Sequence, residues 1–490
     1  MTTSVLNREV MTMDEKRRYL LSRRRFLQVG AAASTVALAA CVAPTAPAAE
    51  DMAAGEAVDS EAAARWLTGM GDRDATGDFK IMSWEDEGEI RKFLLHINEF
   101  FDAFYPGLEP EVEWGIPWGE YWTKLPTLMA AGTPPDMAWQ HQSRGQVFPS
   151  KGWSVDLTDY LNAYPPDGWP DDWWEASVKT MSWNGTVYAI PYDWATIGIY
   201  ANRGLLDDVV GGYPADPDWT WNDFVETAIA VTGEDDNGMP VWGANIGPGA
   251  STVWNIAQAF GGWYFNDDMS QASFTNDGVV TAANLLWDLR WKHRAMPTPE
   301  DTQSMGLTSE FAFASGRVAM HRALNDTAFR MEEAISGTDN PFPWGVYAWP
   351  RGPEGRVAFA GNSGWFVPTG SRYPDTAYEL IRYGLSNPDL LPTTGVMGSM
   401  IVSRKSFWEW GLPQGETAEL IPNFQNVFVD IPAENQSTFP YWPGYQEWDA
   451  IWLKHMDPIF TEGQEGLEEA LQALEDETNE FLAAEMEASS

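Results

Sequence analysis

A regular alternation of strand-like and helix-like segments over residues 79–140 constrains the fold of this 490-residue chain most strongly. "FKIMSW" (79–84) predicts a buried strand, and apolar residues then recur at helical spacing until Pro106-Gly107. "EPEVEWGI" predicts a second strand, "GEYWTKLPTLMAAG" a helix kinked at Pro126 and closed by Gly132, and "PDMAWQ" a third strand. This order predicts a parallel, right-handed α/β unit.

The ends of the first and third predicted strands carry polar and aromatic side chains. Trp84-Glu85-Asp86 follows the first strand, and Trp139-Gln140-His141 closes the third. Ligands of parallel α/β sheets bind beyond the carboxyl ends of the strands, so these positions are candidate ligand contacts. His141 fits a hydrogen-bonding role and an ordinary loop histidine equally well.

The chain contains 27 tryptophans, and many of them stand beside Pro, Gly or Asp in apparent loops. Examples are "GIPWGEYW", "PYDW", "FGGWYFND", "GNSGW" and "FPYWPGY". An aromatic face can pack on the C–H face of a pyranose while amides and carboxylates bind the hydroxyls. For each single tryptophan a place in the core is the better explanation, but as a set they favour a carbohydrate ligand.

Later segments predict further regular elements. Thr220 is expected to cap a helix that begins at Trp221. "EFAFASGRVAM" predicts a helix end, a turn and a strand, and two short β-prone runs flank "PYDW". A long C-terminal helix is predicted from one apolar stripe, which consists of Leu467, Leu471, Leu474 and Leu482.

The first 77 residues resemble an export signal followed by a linker. A basic start, an apolar run and "LAAC" (38–41) predict a signal peptide over residues 1–40, with "SRRRFL" (22–27) similar to the twin-arginine consensus. Cys41 is then the lipidated first residue of the mature chain, anchored to a membrane by its acyl chains. Residues 41–77, rich in Ala, Pro, Gly and acids, are expected to form a flexible linker, and folding is expected to start near Asp78.

Composition and missing motifs exclude several classes of function. A formal net charge of −41 repels nucleic acid, and a single cysteine leaves no disulfide or zinc-cysteine site. Five scattered histidines lack ligand spacing, so no metal site and no cofactor are predicted. "EDDNGMP" (234–240) hints at a calcium loop but fits a solvated turn better. Carboxylates are abundant, and no pair of them is marked out as the catalytic pair of a glycosidase.

Six segments in order resemble the extracellular solute-binding proteins of bacterial ABC importers, in the sugar-binding group that includes maltose-binding protein. They are "INEFFDAFYPGLEPEVEW", "YWTKLPTLMAAGTPPDMAW", "GTVYAIPYDWATIGIYANRGLL", "FASGRVAM", "GWFVPTGSRYPDTAYELIRY" and "GLEEALQALEDETNEFL". The resemblance spans about residues 78–488. One departure is Ala201-Asn202-Arg203, where the family usually has Tyr-Asn-Lys.

The resemblance implies a two-lobed α/β fold, the type II periplasmic-binding-protein fold, in which each lobe is a mainly parallel sheet flanked by helices. The N-lobe would comprise residues 78–192 and 325–384, and the C-lobe residues 193–324 and 385–490. The hinge crossings would fall near 191–198, 321–328 and 384–392. The ligand would occupy the cleft between the lobes.

The resemblance also implies a function: capture of a mono- or oligosaccharide for a membrane permease by an exported, lipid-anchored monomer without catalytic activity. A secreted carbohydrate-active enzyme and an importer protein for a non-sugar solute are the alternatives. The implied ligand contacts are Trp84, Glu85, Asp86, Gln140, His141, Tyr192, Asp193, Trp194, Trp254, Trp263, Asn325, Asp326, Asn362, Trp365, Tyr441 and Trp442.

Overall fold

The computed structural model describes residues 67–84, 97–210, 219–304, 312–386, 401–406, 423, 426–430 and 436–489. The predictions for the signal peptide, for Cys41 and for Glu85 and Asp86 lie outside these residues, and so does the side chain of Asp326.

The first sheet has five strands and contains the predicted α/β unit. In the order of pairing they are β2 (Leu108–Glu113), β1 (Gly77–Met82), β3 (Met137–His141), β13 (Ser363–Phe366) and β6 (Ala189–Pro191). β1 pairs in parallel with β2 and β3, whereas β13 runs antiparallel to β3 and β6. The strand–helix–strand prediction over residues 79–140 is confirmed for the described part, because residues 97–104 and Trp118–Ala130 are helical.

The second sheet is organised around one long strand, β7 (Asp193–Asn202). In the order of pairing, the strands of this sheet are β15 (Gln436–Ser437), β12 (Ala358–Gly361), β7, β10 (Val318–Leu324), β9 (Pro240–Asn245) and β8 (Gly233–Glu234). β11 (Trp344–Tyr347) and β14 (Ile401–Val402) also pair with β7. A separate two-stranded ribbon joins β4 (Ser182–Trp183) and β5 (Thr186–Val187).

Helices cover both sheets. Beyond those already given, they span Val147–Ser150, Thr158–Ala163, Glu175–Thr180, Arg203–Val210, Trp221–Val231, Ala250–Ala259, Asp277–Trp287, Pro299–Ser304, Ala328–Ser336, Pro374–Ser386, Tyr445–Phe460 and Leu467–Ser489, with short helical turns at Gln142–Arg144, Asp288–Lys292, Ala312–Ser315, Asn325–Thr327 and Asn426–Asp430. None of the helices in the described part of the chain is long and apolar enough to span a membrane.

Two helix predictions are confirmed by specific contacts. Thr220 caps the helix Trp221–Val231 in a capping box with Asp223, whose backbone N–H donates to Thr220 Oγ1 at 3.2 Å. The leucine stripe of the C-terminal helix is buried and packs into the core of the second sheet. In both cases a local sequence pattern was enough, because the contacts lie on one helix or on one face of it.

Each sheet has its own hydrophobic core, and short segments connect the two sheets. The core of the first sheet includes Phe79, Trp139 and Trp365, whereas that of the second includes Ile199 and Trp254. The chain passes from β6 to β7 at residue 192 and from β12 to β13 at residue 362. Separate cores joined by short crossings are the architecture of two lobes.

Three crossing segments are hydrogen-bonded to one another between the sheets. The Tyr192 N–H donates to Ser363 O at 2.9 Å, and the Ser403 N–H donates to Tyr192 O at 2.8 Å. The Ser363 N–H and the Ser403 hydroxyl donate to the side chain and the backbone carbonyl of Asp193, respectively. We call residues 191–194, 361–363 and 401–404 the crossing ribbon.

The structure differs from the predicted lobes in two respects. The sheets are mixed, since β10, β11, β12 and β14 all pair antiparallel with β7. Residues 328–361 lie with the second sheet, not in the N-lobe as predicted, because Ala328 and Trp344 share a core with Tyr200 of β7. The second crossing is therefore at residue 362, and most of the third predicted crossing lies outside the described residues.

The folded part begins earlier than Asp78. The carboxylate of Glu379, which is fully buried, accepts hydrogen bonds from Thr68 N at 2.9 Å, Gly69 N at 2.7 Å and Tyr105 Oη at 2.5 Å. Arg73 adds an ion pair at 3.2 Å. Residues 67–77 thus belong to the fold, and the prediction that the linker extends to residue 77 is wrong. We call this arrangement the Glu379 clasp.

Candidate functional site

A cavity of about 320 Å³ is lined by residues from segments connected to the first sheet and from segments connected to the second. From the side of the first sheet it is lined by Gln142, Gln146, Lys179 and Thr180, which follow β3 or close the helix Glu175–Thr180. From the side of the second sheet it is lined by Met269 and by the segment Thr438, Phe439, Pro440, Tyr441 and Trp442, which precedes the helix Tyr445–Phe460. We call it the Gln142 cavity.

The side-chain amide of Gln142 is the least satisfied polar group of this cavity. Only 1% of Gln142 is exposed, and neither Oε1 nor Nε2 has a hydrogen-bond partner in the described protein. A buried amide without a partner costs about 1–3 kcal/mol. Both atoms thus keep unused hydrogen-bonding capacity in a residue that lines the cavity.

An aromatic wall connects the strand ends of the first sheet to the Gln142 cavity. Trp84 packs edge-on against Trp118 at 5.1 Å between ring centroids, and Trp118 against His141 at 5.0 Å. The His141 ring lies 6.4 Å from that of Tyr441, which lines the cavity. Since 47% of Trp118 is exposed, part of this wall is open to a solute.

His141 is held in one protonation state. Its Nδ1 accepts from the Ser143 N–H at 3.2 Å and lies 2.8 Å from the Ser143 hydroxyl. Burial, with a smaller effect from the Arg144 charge, lowers the pKa of His141 from 6.5 to about 3. The imidazole is therefore neutral at physiological pH, and with Nδ1 as acceptor it carries its proton on Nε2, where it can donate.

Basic side chains lie near Tyr441. Arg144 places its guanidinium 5.2 Å from the centroid of Trp122, donates to Ser143 O at 3.1 Å and interacts electrostatically with Tyr441, Tyr445 and Asp449. Arg322, on β10, also interacts with Tyr441. Burial lowers the pKa of Arg322 to about 10, so its guanidinium remains charged at physiological pH.

A second cavity of about 600 Å³ adjoins the first and is lined in part by the predicted Trp263. We call it the Trp263 cavity. It is lined by Gly261, Trp263, Phe265, Asn266, Asp267, Gln271, Ser273 and Asn276. The ring of Phe265 lies 5.2 Å from that of Trp442, which lines the Gln142 cavity, so the two cavities are neighbours. Trp263 is 56% exposed and contacts the buried Trp254 at 5.7 Å. This arrangement presents an aromatic face beside amide and carboxylate groups.

The structure therefore brings part of the predicted site together. Tyr441 and Trp442 line the Gln142 cavity, His141 contacts Tyr441, and Trp84 belongs to the adjoining wall. Gln140 is buried, and its Nε2 donates to Arg144 O at 3.4 Å.

Other predicted residues have structural roles in this conformation. Trp194 is 2% exposed and packs 5.9 Å from Trp174, and Trp365 is buried 4.3 Å from Trp139. Neither presents a face on which a sugar could stack, so their prediction as ligand contacts is not supported.

The polar residues predicted at the crossings are also engaged within the protein. Asn325 accepts from Thr196 N at 2.6 Å and donates to Trp194 O at 3.2 Å. Asn362 accepts from Thr180 Oγ1 at 2.5 Å, while Tyr192 and Asp193 belong to the crossing ribbon. These side chains fix the path of the chain between the sheets.

Gln142, Arg144, Lys179 and Arg322 were not predicted. The first two stand in "QHQSRG", directly beyond the third strand, where the same rule that selected Gln140 and His141 could have found them. Arg322 interrupts an apolar strand, "VAMHRAL", and a charged residue there is itself a signal of function. No local pattern indicated Lys179.

The calcium-loop alternative finds no support in the described residues. Asp235 Oδ1 accepts from the backbone N–H groups of Asn237 and Met239, at 2.9 and 2.8 Å, which closes an ordinary turn. No group of His, Cys, Asp and Glu side chains suited to holding a metal ion occurs in the described part of the chain.

Sequence comparison relates the chain to one family. Residues 91–389 match the profile described as bacterial extracellular solute-binding protein. The chain is 26% identical over 275 residues to a lactose-binding protein of Rhizobium radiobacter, a match that covers 54% of this chain and 62% of that protein. It is 22% identical to a maltotriose-binding protein of Pyrococcus abyssi, covering 54% of each. The matched region thus spans between half and two thirds of these relatives.

Structural comparison gives the same fold over most of the chain. An ABC substrate-binding protein of Listeria monocytogenes, solved with cycloalternan, superposes with a TM-score of 0.69 at 19% identity, covering 84% of this chain and all of that one. The sugar-binding protein MalE of Xanthomonas citri gives a TM-score of 0.67 at 19% identity, covering 84% and 98%. The predicted two-lobed α/β binding-protein fold is confirmed, and the chain belongs to the bacterial extracellular solute-binding protein family.

Proposed function

We propose that this protein captures a carbohydrate in the Gln142 cavity and delivers it to the permease of an ABC importer. The observation that carries the proposal is the buried Gln142 amide, which lacks a protein partner and shares its cavity with Tyr441 and Trp442. An amide supplies N–H donors and a carbonyl acceptor for hydroxyls, and aromatic side chains supply apolar surface for a sugar ring. The relatives named for lactose and maltotriose support a sugar as the ligand.

The neighbouring Trp263 cavity favours a ligand longer than one sugar ring. Its rim combines the exposed Trp263 with Asn266, Asp267 and Gln271, and the Phe265–Trp442 contact places it beside the Gln142 cavity. Two adjoining cavities of about 320 and 600 Å³ together offer room for an oligosaccharide.

A thermal-shift screen over mono-, di- and trisaccharides tests this function. A ligand present at 100 times its Kd is expected to stabilise the protein by about 2.7 kcal/mol. Recovery of the bound sugar unchanged after incubation, with no new reducing ends, is the expected result for binding without catalysis. A panel in which no sugar raises the melting temperature, or in which the sugar is cleaved, contradicts the proposal.

Ligand binding is proposed to close the two lobes around the cleft by bending at the crossing ribbon. A ligand that contacts both sides binds the closed form more tightly and shifts the population towards it. Small-angle scattering should show a smaller radius of gyration at saturating sugar. An unchanged radius would refute closure.

We further propose that the protein is exported as a monomer through a twin-arginine signal over residues 1–40 and anchored by acylation of Cys41. This proposal is based on "SRRRFL" and "LAAC". Replacing Cys41 by Ser should release the protein from the membrane fraction without changing sugar affinity. Retention of an acylated Cys41→Ser protein in that fraction would contradict the anchor.

A further inference from the structure

A glycine at the end of β12 allows a residue of the first-sheet side to contact the second sheet beside the Gln142 cavity. A methyl carbon added to Gly361 would lie 2.9 Å from Gln142 Nε2, 2.7 Å from Phe359 Cε1 and 2.8 Å from Phe359 Cζ. Ordinary van der Waals contacts of such a carbon are 3.4–4 Å long. A residue larger than glycine therefore fits here only if one of these neighbours moves.

The backbone conformation of Gly361 does not itself require glycine. Gly361 pairs with Ala195 in the register of β12 and β7, and its φ lies outside the left-handed region. The requirement is therefore steric, and it comes from two neighbours of different kinds. Phe359 belongs to the core of the second sheet, whereas Gln142 lines the cavity from the side of the first sheet.

Gln142 is held beside this glycine by its own backbone. Its N–H donates to the carbonyl oxygen of Asn362, the residue that follows Gly361, at 3.1 Å. Only 1% of Gln142 is exposed, so its amide has little freedom to move into bulk solvent. The open space that Gln142 lines is the cavity. An amide displaced from Gly361 would therefore move into the volume that a bound sugar would occupy.

Asn362 attaches the same segment to a second residue of the cavity lining. Its Oδ1 accepts from Thr180 Oγ1 at 2.5 Å, and its Nδ2 donates to Ser177 O at 3.3 Å. Thr180, like Gln142, lines the cavity, whereas residues 361–362 do not. This segment thus contacts two cavity residues without reaching the cavity itself.

We propose that Gly361 is a positioning residue for sugar binding. Because it lacks a side chain, it leaves the Gln142 amide in the place from which that amide bonds a sugar hydroxyl. This inference rests on the proposed function and adds a residue that acts on the sugar only through Gln142. Packing against Phe359 alone would also require glycine, but it would not affect affinity. The two neighbours therefore have to be tested separately.

Phe359→Leu separates the two neighbours, because leucine has no atoms equivalent to Cε1 and Cζ of phenylalanine. In this background the methyl group added by Gly361→Ala keeps only one of the close contacts given above, that with Gln142. Calorimetry compares Phe359→Leu with Phe359→Leu/Gly361→Ala, using the sugar of the mono-, di- and trisaccharide panel that binds the wild-type chain most tightly. We expect the added methyl group to weaken binding tenfold or more, about 1.4 kcal/mol.

A triple variant shows whether this loss is transmitted by Gln142. Gln142→Ala shortens that side chain to its Cβ, so in the Phe359→Leu/Gln142→Ala background Gly361→Ala should change affinity by less than about twofold. Gly233→Ala is the matched control. It adds the same methyl group to a glycine of β8 whose new carbon would have no heavy atom within 4 Å apart from its chain neighbours, and it should leave affinity unchanged.

The outcomes distinguish this inference from the proposed function. Equal affinities of Phe359→Leu and Phe359→Leu/Gly361→Ala overturn the positioning role and leave sugar binding standing, and so does a loss of affinity that persists without the Gln142 side chain. A Gln142→Ala protein that binds like wild type overturns the role of Gln142 and this inference with it. A wild-type chain that binds no sugar of the panel overturns the inference together with the proposed function.

Folding of the variants is itself a test. A double variant that fails to fold, beside a triple variant that folds, supports the steric contact between residue 361 and Gln142. Failure of both to fold overturns the inference, because the added methyl group then collides with a group other than Gln142.

Discussion

Replacing Gln142 by Met should raise the stability of the protein and weaken its binding of sugar. The methionine side chain has nearly the volume of glutamine but no amide, so it removes the two buried polar atoms that have no protein partner. In the described protein neither atom has a hydrogen-bond partner, so methionine breaks no hydrogen bond within the protein. The substitution is therefore expected to preserve packing.

The size of the expected change in stability follows from the cost of the unpaired amide. An unsatisfied buried polar group costs about 1–3 kcal/mol, and partial hydration reduces this cost, so we expect the free energy of unfolding of the Gln142→Met protein to rise by about 1 kcal/mol. In a chain of this size that corresponds to a melting temperature about 2 °C higher. Loss of the hydrogen bonds to the sugar should weaken binding at least tenfold, about 1.4 kcal/mol.

Urea denaturation and calorimetry measure the two effects on the same protein. Thr196 provides a control, because its hydroxyl is also buried without a partner in the described protein, yet Thr196 lies on β7 and lines neither of the two cavities described above. Thr196→Val should change stability without changing affinity. A Gln142→Met protein that is less stable than wild type and binds sugar equally well would refute the assignment of Gln142 as a ligand contact.

Three further predictions test other parts of the structure. Replacing Glu379 by Gln leaves buried donors and Arg73 without a carboxylate, so the free energy of unfolding measured in urea should fall by about 3 kcal/mol. The exposed control Glu480→Gln should change it by less than about 0.5 kcal/mol. Equal urea midpoints for the two variants would contradict the Glu379 clasp. Because the pKa of His141 is about 3 in the folded state and near 6.5 in the unfolded state, the unfolded state binds more protons below pH 6.5. This histidine should therefore lower stability by up to about 1.4 kcal/mol per pH unit as pH falls from 6.5 towards 3, and His141→Gln should flatten that part of the profile; parallel profiles would count against a buried neutral imidazole. Trp263→Ala should weaken trisaccharide binding about tenfold with an unchanged melting temperature, since the ring is exposed; unchanged calorimetric affinity would remove the Trp263 cavity from the site.

The elements of the fold could be predicted because their signals are local. The strand–helix order over residues 79–140, the Thr220 cap and the C-terminal leucine stripe each depend on neighbours within one element or one supersecondary unit. The Glu379 clasp could not be predicted in this way. Its partners Thr68 and Glu379 are 311 residues apart, and no pattern around either residue indicates the other.

The candidate site was predictable only to the level of segments. The rule that ligands bind beyond strand ends selected Gln140 and His141, but the residue that lines the cavity and has an unpartnered amide is Gln142, one residue further on. Trp194 and Trp365 have the same loop-like surroundings in sequence as Trp263, yet two are buried and one is exposed. Which face of an aromatic side chain meets solvent is decided by tertiary packing, which sequence spacing does not record.

The crossing ribbon limits how the two lobes can move relative to each other. Sliding one sheet along the other would break the bonds that join Tyr192 to Ser363 and to Ser403, whereas bending or twisting the ribbon keeps them. Rotation about an axis through the ribbon is thus the least costly displacement. Under such a rotation, atoms near the axis travel a short distance and atoms at the rim travel far. In the proposed closure, groups closest to the axis would therefore be pre-arranged before a solute arrives, and those at the rim would come into place only when it is bound.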